Sequence, residues 1–200
     1  MELHLYDFDG TLFGSPGPPA GYTSNVNEWF RDPVSLSPPC VPHVPGPEWW
    51  HPDILPLAIA SIDNTEVYTV LMTGRLATVP GLQRRIRELL LQAGLRFDEV
   101  HLKPGTTDTG MATSDFKRDE LARILDGSYH IQAVHIWDDR VQHLPEIATA
   151  PERLGIPTIQ HPVDRHALAA GSRPDDVTAA ADEVALQKRS QRILMGQEGF

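Results

Sequence analysis

A single cysteine, Cys40, stands in the 200 residues, so no internal disulfide is available, a pattern that fits a reducing compartment. No run approaches the roughly 18 apolar residues of a membrane span, and Asp7 and Asp9 interrupt the opening hydrophobic stretch, which therefore does not read as a signal peptide. These absences lead to the expectation of a cytoplasmic protein without membrane contact. Basic residues are outnumbered: 17 Lys and Arg against 27 Asp and Glu give a net charge of −10. That argues against tight, non-specific binding of nucleic acid, which needs clustered cations, though not against a nucleic-acid end gripped locally. Beyond one proline-rich stretch there is no repeat or low-complexity tract. With 40% hydrophobic and 22% charged residues, the length suits one α/β domain carrying an insertion.

What is present is concentrated at the beginning. Residues 3–13 read Leu-His-Leu-Tyr-Asp-Phe-Asp-Gly-Thr-Leu-Phe, a short β-like run closing on two aspartates. On a strand Asp7 and Asp9 share one face while Phe8 points away. Two carboxylates held close are costly unless a cation or a shared proton offsets them, and such a pair at a strand end is a natural seat for Mg²⁺. Asp-Gly is also a hairpin signal, but no period-2 strand follows Gly10.

Residues 14–52 hold ten of the 18 prolines, a density that forbids long helices and central strands. Tyr22, Trp29, Phe30, Trp49 and Trp50 give this segment too many aromatics for a disordered linker. It reads as an ordered lid or substrate wall, with pure packing as the competing reading. A short helix over 54–62 precedes a buried strand over 66–72, which ends in Thr73-Gly74-Arg75. A hydroxyl and a glycine there can offer a phosphate an O–H and close backbone N–H groups. Residues 81–93 have helical periodicity, with Arg84, Arg85 and Arg87 on the polar face. A strand over 97–102 follows, then Lys103 and a polar loop over 106–112. Ser114 is the expected N-cap of the next helix, which places Lys117 in a first turn that disfavours cations. A strand over 131–137 ends in a second acidic pair, Asp138-Asp139. Adjacent strand residues point oppositely, so both can face one metal only if the strand has ended. A helix over 141–153, a strand over 154–160 and a final helix over 175–195 complete the expectation. Asp7, Asp9, Thr73, Asp138 and Asp139 each follow or end a strand, where open parallel sheets place their ligands.

Asp7-Phe8-Asp9-Gly10-Thr11, Thr73-Gly74-Arg75, Lys117 and Asp138-Asp139, in that order, resemble the four motifs of the haloacid dehalogenase (HAD) superfamily. More narrowly, the chain resembles the HAD domain of the Swiss Army Knife RNA repair-like group. The features are the proline-rich stretch closing on Trp49-Trp50, Leu71-Met72-Thr73-Gly74-Arg75, residues 97–104, and Ile136-Trp137-Asp138-Asp139-Arg140 with His143. Lys103 competes with Lys117 for the third motif, and Lys117 is preferred because it begins the helix before the fourth strand.

The resemblance implies an α/β, HAD-like Rossmannoid fold: a parallel five-stranded sheet in order 3-2-1-4-5, helices on both faces and a proline-rich insertion after strand 1. The catalytic domain would span 1–165 and a helical extension 166–200. It implies a Mg²⁺-dependent phosphomonoester hydrolase using an aspartyl-phosphate, with Mg²⁺ held by the Asp7 carboxylate, the Asp9 carbonyl and Asp138. Asp7 is then the nucleophile and Asp9 the acid and base. Thr73 and Gly74 hold the phosphoryl oxygens alongside Gly10, Thr11 and Asp139, and Lys117 offsets the anionic charge gathered around Asp7. Arg75 or Arg140 is a candidate for a second phosphate, and Trp49, Trp50 or Trp29 for stacking a base. The phosphorylated substrate reads as a nucleic-acid end or nucleotide. A small metabolite, or a catalytically silent binding domain, are the alternatives.

Overall fold

The computed structural model describes residues 1–23, 25–105, 110–127 and 130–168. Its centre is β1 (Glu2–Asp7), whose alternation puts Leu3 and Leu5 on one face and His4 and Tyr6 on the other. β1 pairs in parallel with β2 (Val67–Leu76) and with β4 (Ala133–Asp138). β3 (Glu99–Lys103) and β5 (Thr158–Pro162) complete a five-stranded sheet in the order β3-β2-β1-β4-β5. Helices α4 (Thr113–Leu125) and α5 (His143–Arg153) cover the Leu3/Leu5 face, burying Leu121, Ile124, Leu144 and Ile147 against Val70, Val134 and Ile136. On the opposite face α2 (Ile54–Asp63) and α3 (Leu82–Gln92) pack onto Tyr6, Leu71 and Trp137. The α/β order and the layered sheet are those the alternating pattern leads one to expect. Among the described residues no helix is long and apolar enough to cross a membrane.

The proline-rich stretch folds into short pieces: a six-residue α1 (Val26–Arg31) and 3₁₀ turns at Pro33–Leu36 and Pro47–Trp49. Its Leu36, Val41, Trp49 and Trp50 are part of the main core. Arg85 of α3 fastens it by donating to the carbonyls of Leu36 (2.8 Å), Pro42 (2.6 Å) and His43 (3.1 Å). Arg85 is therefore no solvated helix-face residue, as periodicity suggests; Arg84, 82% exposed, is.

Other boundaries differ in ways that bear on the site. β1 stops at Asp7, and Asp9 sits in a tight turn closed by Gly10 N–H to Phe13 O (2.9 Å) and Phe13 N–H to Phe8 O (2.8 Å). Asp7 and Asp9 thus do not share a strand face. β2 runs through Thr73-Gly74-Arg75 instead of ending there, with a register shift against β3 between Thr73 and Leu76. The cap of α4 is Ala112, not Ser114, so Lys117 lies in the second turn and the first holds Asp115, the sign the dipole favours. The helix expected over 175–195 lies outside the described residues, as do positions 106–109 of the polar loop.

Candidate active site

Asp7 and Asp138 are the last residues of two neighbouring strands, so their carboxylates emerge side by side at the same end of the sheet. α4 crosses behind them and delivers Lys117, whose Nζ donates to Asp7 Oδ1 at 2.5 Å and to Asp138 Oδ2 at 2.7 Å. The ammonium is 2% exposed. Burial disfavours its charge, but Asp7 and Asp138 more than offset this and hold its pKa above the ordinary lysine range. With β4 ended at Asp138, the chain turns and Asp139 joins the group. Oxygens of Asp7, Asp138 and Asp139 lie within 4.8 Å of one another. Burial, followed after Lys117's opposing pull by the charges of Asp138, Asp139 and Asp9, pushes the Asp7 carboxyl up to about 8. Asp139 is also raised, by burial first and then by Asp138. Its Oδ1 is buried without a hydrogen-bond partner.

Three hard oxygen donors, one of them orphaned and together carrying more negative charge than Lys117 neutralises, fit a divalent cation of the Mg²⁺ kind. Asp139 adds a third carboxylate beside Asp7 and Asp138, two of the ligands expected from sequence; the third expected ligand is the Asp9 backbone carbonyl, and the Asp9 side chain is engaged elsewhere. Two small residues make the arrangement possible. Gly10, at φ +80°, lies so near Asp139 that a Cβ there would stand 2.6 Å from its Oδ2. Thr11, fully buried, accepts the Asp139 N–H at 2.8 Å and ties the turn after β1 to the end of β4.

Asp9 belongs to a second network. Arg75, 1% exposed, donates through Nε to both Asp9 oxygens (2.9 and 3.0 Å), and its Nη2 is 2.8 Å from Oδ1. Ser15 Oγ and Thr73 Oγ1 donate to the same carboxylate at 2.5 and 3.2 Å. Burial acts to raise the Asp9 pKa, but the Arg75 charge and these hydrogen bonds outweigh it and hold the carboxyl below its ordinary range. Arg75 Nη1 also donates to Phe30 O (3.1 Å) and Ser35 Oγ (2.8 Å). The arginine thus joins β2, the turn after β1 and the proline-rich wall, while also lining the cleft. An ammonium cannot reproduce this planar fork. Arg75→Lys is expected to lower the unfolding free energy by about 1.5–3 kcal/mol, measurable by urea denaturation.

Asp7, Asp9, Gly74, Lys117, Asp138 and Arg140 line one open cleft of about 570 Å³. Thr73, fully buried, turns its hydroxyl to Asp9. The stacking expectation for Trp49 and Trp50 gives way to their burial: at 2% and 5% exposed they pack around Phe13 in the core. Trp29 is buried too, its indole N–H given to Pro16 O at 2.8 Å. Among the described residues of the wall, Asn27, Phe30 and Arg31 reach the cleft; Phe30 is one of the aromatics noted in the sequence, and no signal marks the other two. Lys103 lies at the rim, its Nζ donating to the Met111 carbonyl. Its pKa is held below the usual lysine range, by burial first and then by Arg31. His143 also lines the cleft, 4.0 Å from Asp138, with Nδ1 buried and unpartnered.

The family described as HAD domain family 1 in Swiss Army Knife RNA repair proteins matches residues 21–157, a span that takes in Thr73, Lys117 and Asp138 but not Asp7 or Asp9. An uncharacterized protein of Saccharomyces cerevisiae, YMR265C, is 25% identical over a match covering 80% of this chain and 39% of that protein. The fold is also similar to a chain of the Pnkp1/Rnl/Hen1 complex (TM-score 0.51, 15% identity, 80% of this chain and 44% of that chain). It is likewise similar to the Legionella pneumophila effector Ceg4 (TM-score 0.50, 14% identity, 94% and 93%). The chain spans less than half the length of the yeast relative and of the complex's chain.

Proposed function

The chain belongs to HAD domain family 1 of the Swiss Army Knife RNA repair proteins, and we propose that it is a Mg²⁺-dependent phosphomonoester hydrolase acting on a nucleic-acid end or a nucleotide. The observation that carries this reading is the Asp7–Lys117–Asp138 bridge beneath an open cleft, with Asp139 completing a trio of carboxylates. Asp7, Asp138 and Asp139 would hold the cation, which when bound supplies charge neutralisation for phosphoryl oxygens.

In the proposed mechanism Asp7, whose carboxyl a bound cation would bring down from about 8 to its ionised form, bonds to phosphorus as the ester P–O bond breaks, giving an aspartyl-phosphate and a free alcohol. Asp9, ionised beside Arg75, takes up a proton from solvent and passes it to the departing oxygen, then takes one from the water whose oxygen bonds to phosphorus as the bond to Asp7 breaks. The ion pair with Arg75 supports the second of these roles, since it holds Asp9 ionised and ready to accept a proton. Lys117 keeps Asp7 oriented and offsets the charge gathering around it. The Gly74 backbone at the cleft supports phosphoryl binding, and Lys117 rather than Lys103 fills the role of the third motif. Arg31, Lys103 and Arg140 at the cleft favour a polyanionic substrate, and Phe30 beside Arg75 offers a base the aromatic surface that the tryptophans do not.

The test is phosphate release, with Mg²⁺ or with chelator, from an aryl phosphate, nucleotides and oligonucleotides bearing 3′- or 5′-phosphates. Mg²⁺-dependent release is expected, fastest on an oligonucleotide or nucleotide, with KM rising steeply with ionic strength. Release from small metabolite-like esters with little salt dependence moves the substrate to that class. If no substrate releases phosphate and Mg²⁺ leaves Tm unchanged, the hydrolase reading fails.

A further inference from the structure

A second group of donor atoms sits at the other end of β1, roughly 10 Å (His4) to 17 Å (Glu2) along the strand from Asp7. Glu2 and His4 are two residues apart and share the face opposite Leu3 and Leu5; His135 is the register partner of His4 on β4. Their side chains converge. His4 Nε2 is 3.3 Å and His135 Nε2 3.8 Å from the same Glu2 oxygen, Oε2, and the two imidazole rings are 4.7 Å apart. One donor atom from each of the three lies within 4.8 Å of the others.

Hydrogen bonding behind the rings arranges their protons. Ser61 Oγ donates to Leu57 O at 2.9 Å, so it accepts from His4 Nδ1 at 2.7 Å and from the Tyr6 hydroxyl at 2.8 Å. His4 therefore carries a proton on Nδ1; in the neutral form, which burial favours, Nε2 keeps a lone pair for a cation beside Glu2, and in the protonated form Nε2 donates to Glu2 Oε2 at 3.3 Å. His135 Nδ1 is 2.9 Å from His161 Nε2, and when it donates there its own Nε2 is left with a lone pair on the same side. Imidazoles that ligate metals are oriented in this way, through an N–H given to a partner behind the ring. With both rings neutral, two lone pairs and a carboxylate face one another, an arrangement that a bound cation relieves, as does a proton on His4 Nε2.

We propose that Glu2, His4 and His135 form a binding site for a borderline transition-metal cation of the Zn²⁺ class, separate from the cleft and bridging the starts of β1 and β4. Two nitrogens and one oxygen suit Zn²⁺ and leave a fourth position for water, whereas the all-carboxylate cleft suits Mg²⁺. Glu2 is exposed and the two histidines half-buried, so the site is open to solvent.

The test is calorimetric titration of Zn²⁺ into the tag-free full chain, comparing wild type with Glu2→Gln, His135→Gln and Asp7→Asn. A single equivalent is expected to persist in Asp7→Asn and to bind roughly tenfold or more weakly in Glu2→Gln and His135→Gln. Co²⁺ should give the intense visible bands of a four-coordinate site in wild type and lose them in His135→Gln. Glu2→Gln alters an exposed side chain, and an unchanged metal-free melting curve separates lost ligation from lost folding. Zn²⁺ affinity unchanged in both Glu2→Gln and His135→Gln, binding lost in Asp7→Asn instead, or no Zn²⁺ uptake at all overturns the proposal.

Discussion

Asp7→Asn is expected to abolish phosphate release, by a factor on the order of 10⁴ or more, while leaving the protein folded and no less stable at neutral pH. The two outcomes have one cause. An amide is isosteric with the carboxyl but cannot attack phosphorus, so the chemistry is lost. Folding, by contrast, places Asp7 among Asp138, Asp139 and Asp9 with Lys117 as the buried cation between them, and its carboxyl is pushed up to about 8. Such a group binds a proton more tightly folded than unfolded. Its stabilising contribution is full below the unfolded carboxylate pKa and is lost as pH rises through about 8. In chelator, wild type should therefore lose stability relative to Asp7→Asn between pH 5 and pH 8. Denaturant titrations of both proteins at several pH values read this directly. A variant that falls behind wild type as pH rises would show that Asp7 is ionised and well paired with Lys117 alone.

Lys117→Met is expected to do the opposite to the fold. The methylene stem is replaced almost atom for atom, but the one cation between Asp7 and Asp138 disappears, leaving both buried carboxylates unpaired. Breaking a buried pair from one side costs about 3–5 kcal/mol. The loss should be smaller at pH 6, where Asp7 holds a proton in both proteins, than at pH 9, above the value of about 8 at which wild-type Asp7 ionises, and urea denaturation at those two pH values measures the difference. Equal losses at the two pH values would mean that the cost comes from repacking rather than from stranded charge.

The fold and half of the site were legible in the order of residues because both depend on short-range pattern. Strands rich in β-branched residues alternate with helical stripes, and acidic residues at two strand ends, Asp7 and Asp138, are brought together by any parallel sheet that pairs those strands. Lys117 was legible as a residue but not by its reason: the helix begins earlier than Ser114 suggests, so no unfavourable first-turn position marks it. What could not be read depends on where irregular chain comes to rest. A proline-rich segment has no period from which to infer a face, so nothing separates Trp49, which fills the core, from Phe30, which borders the cleft. The Arg75–Asp9 pair joins residues far apart in sequence through a strand that continues past its expected end. His4 beside His135 needs the register of β1 on β4, which composition does not carry.

Arginines from two different elements hold the proline-rich stretch: Arg75 from β2 through Phe30 and Ser35, and Arg85 from α3 through three backbone carbonyls. The stretch is for that reason not an exchangeable module. Swapping it for a foreign loop would strand two guanidinium groups and uncover Phe13, so a change of substrate preference by loop grafting would begin from a damaged core. Retuning by point substitution at Asn27 or Arg31, which face the cleft without joining those clamps, leaves the framework intact.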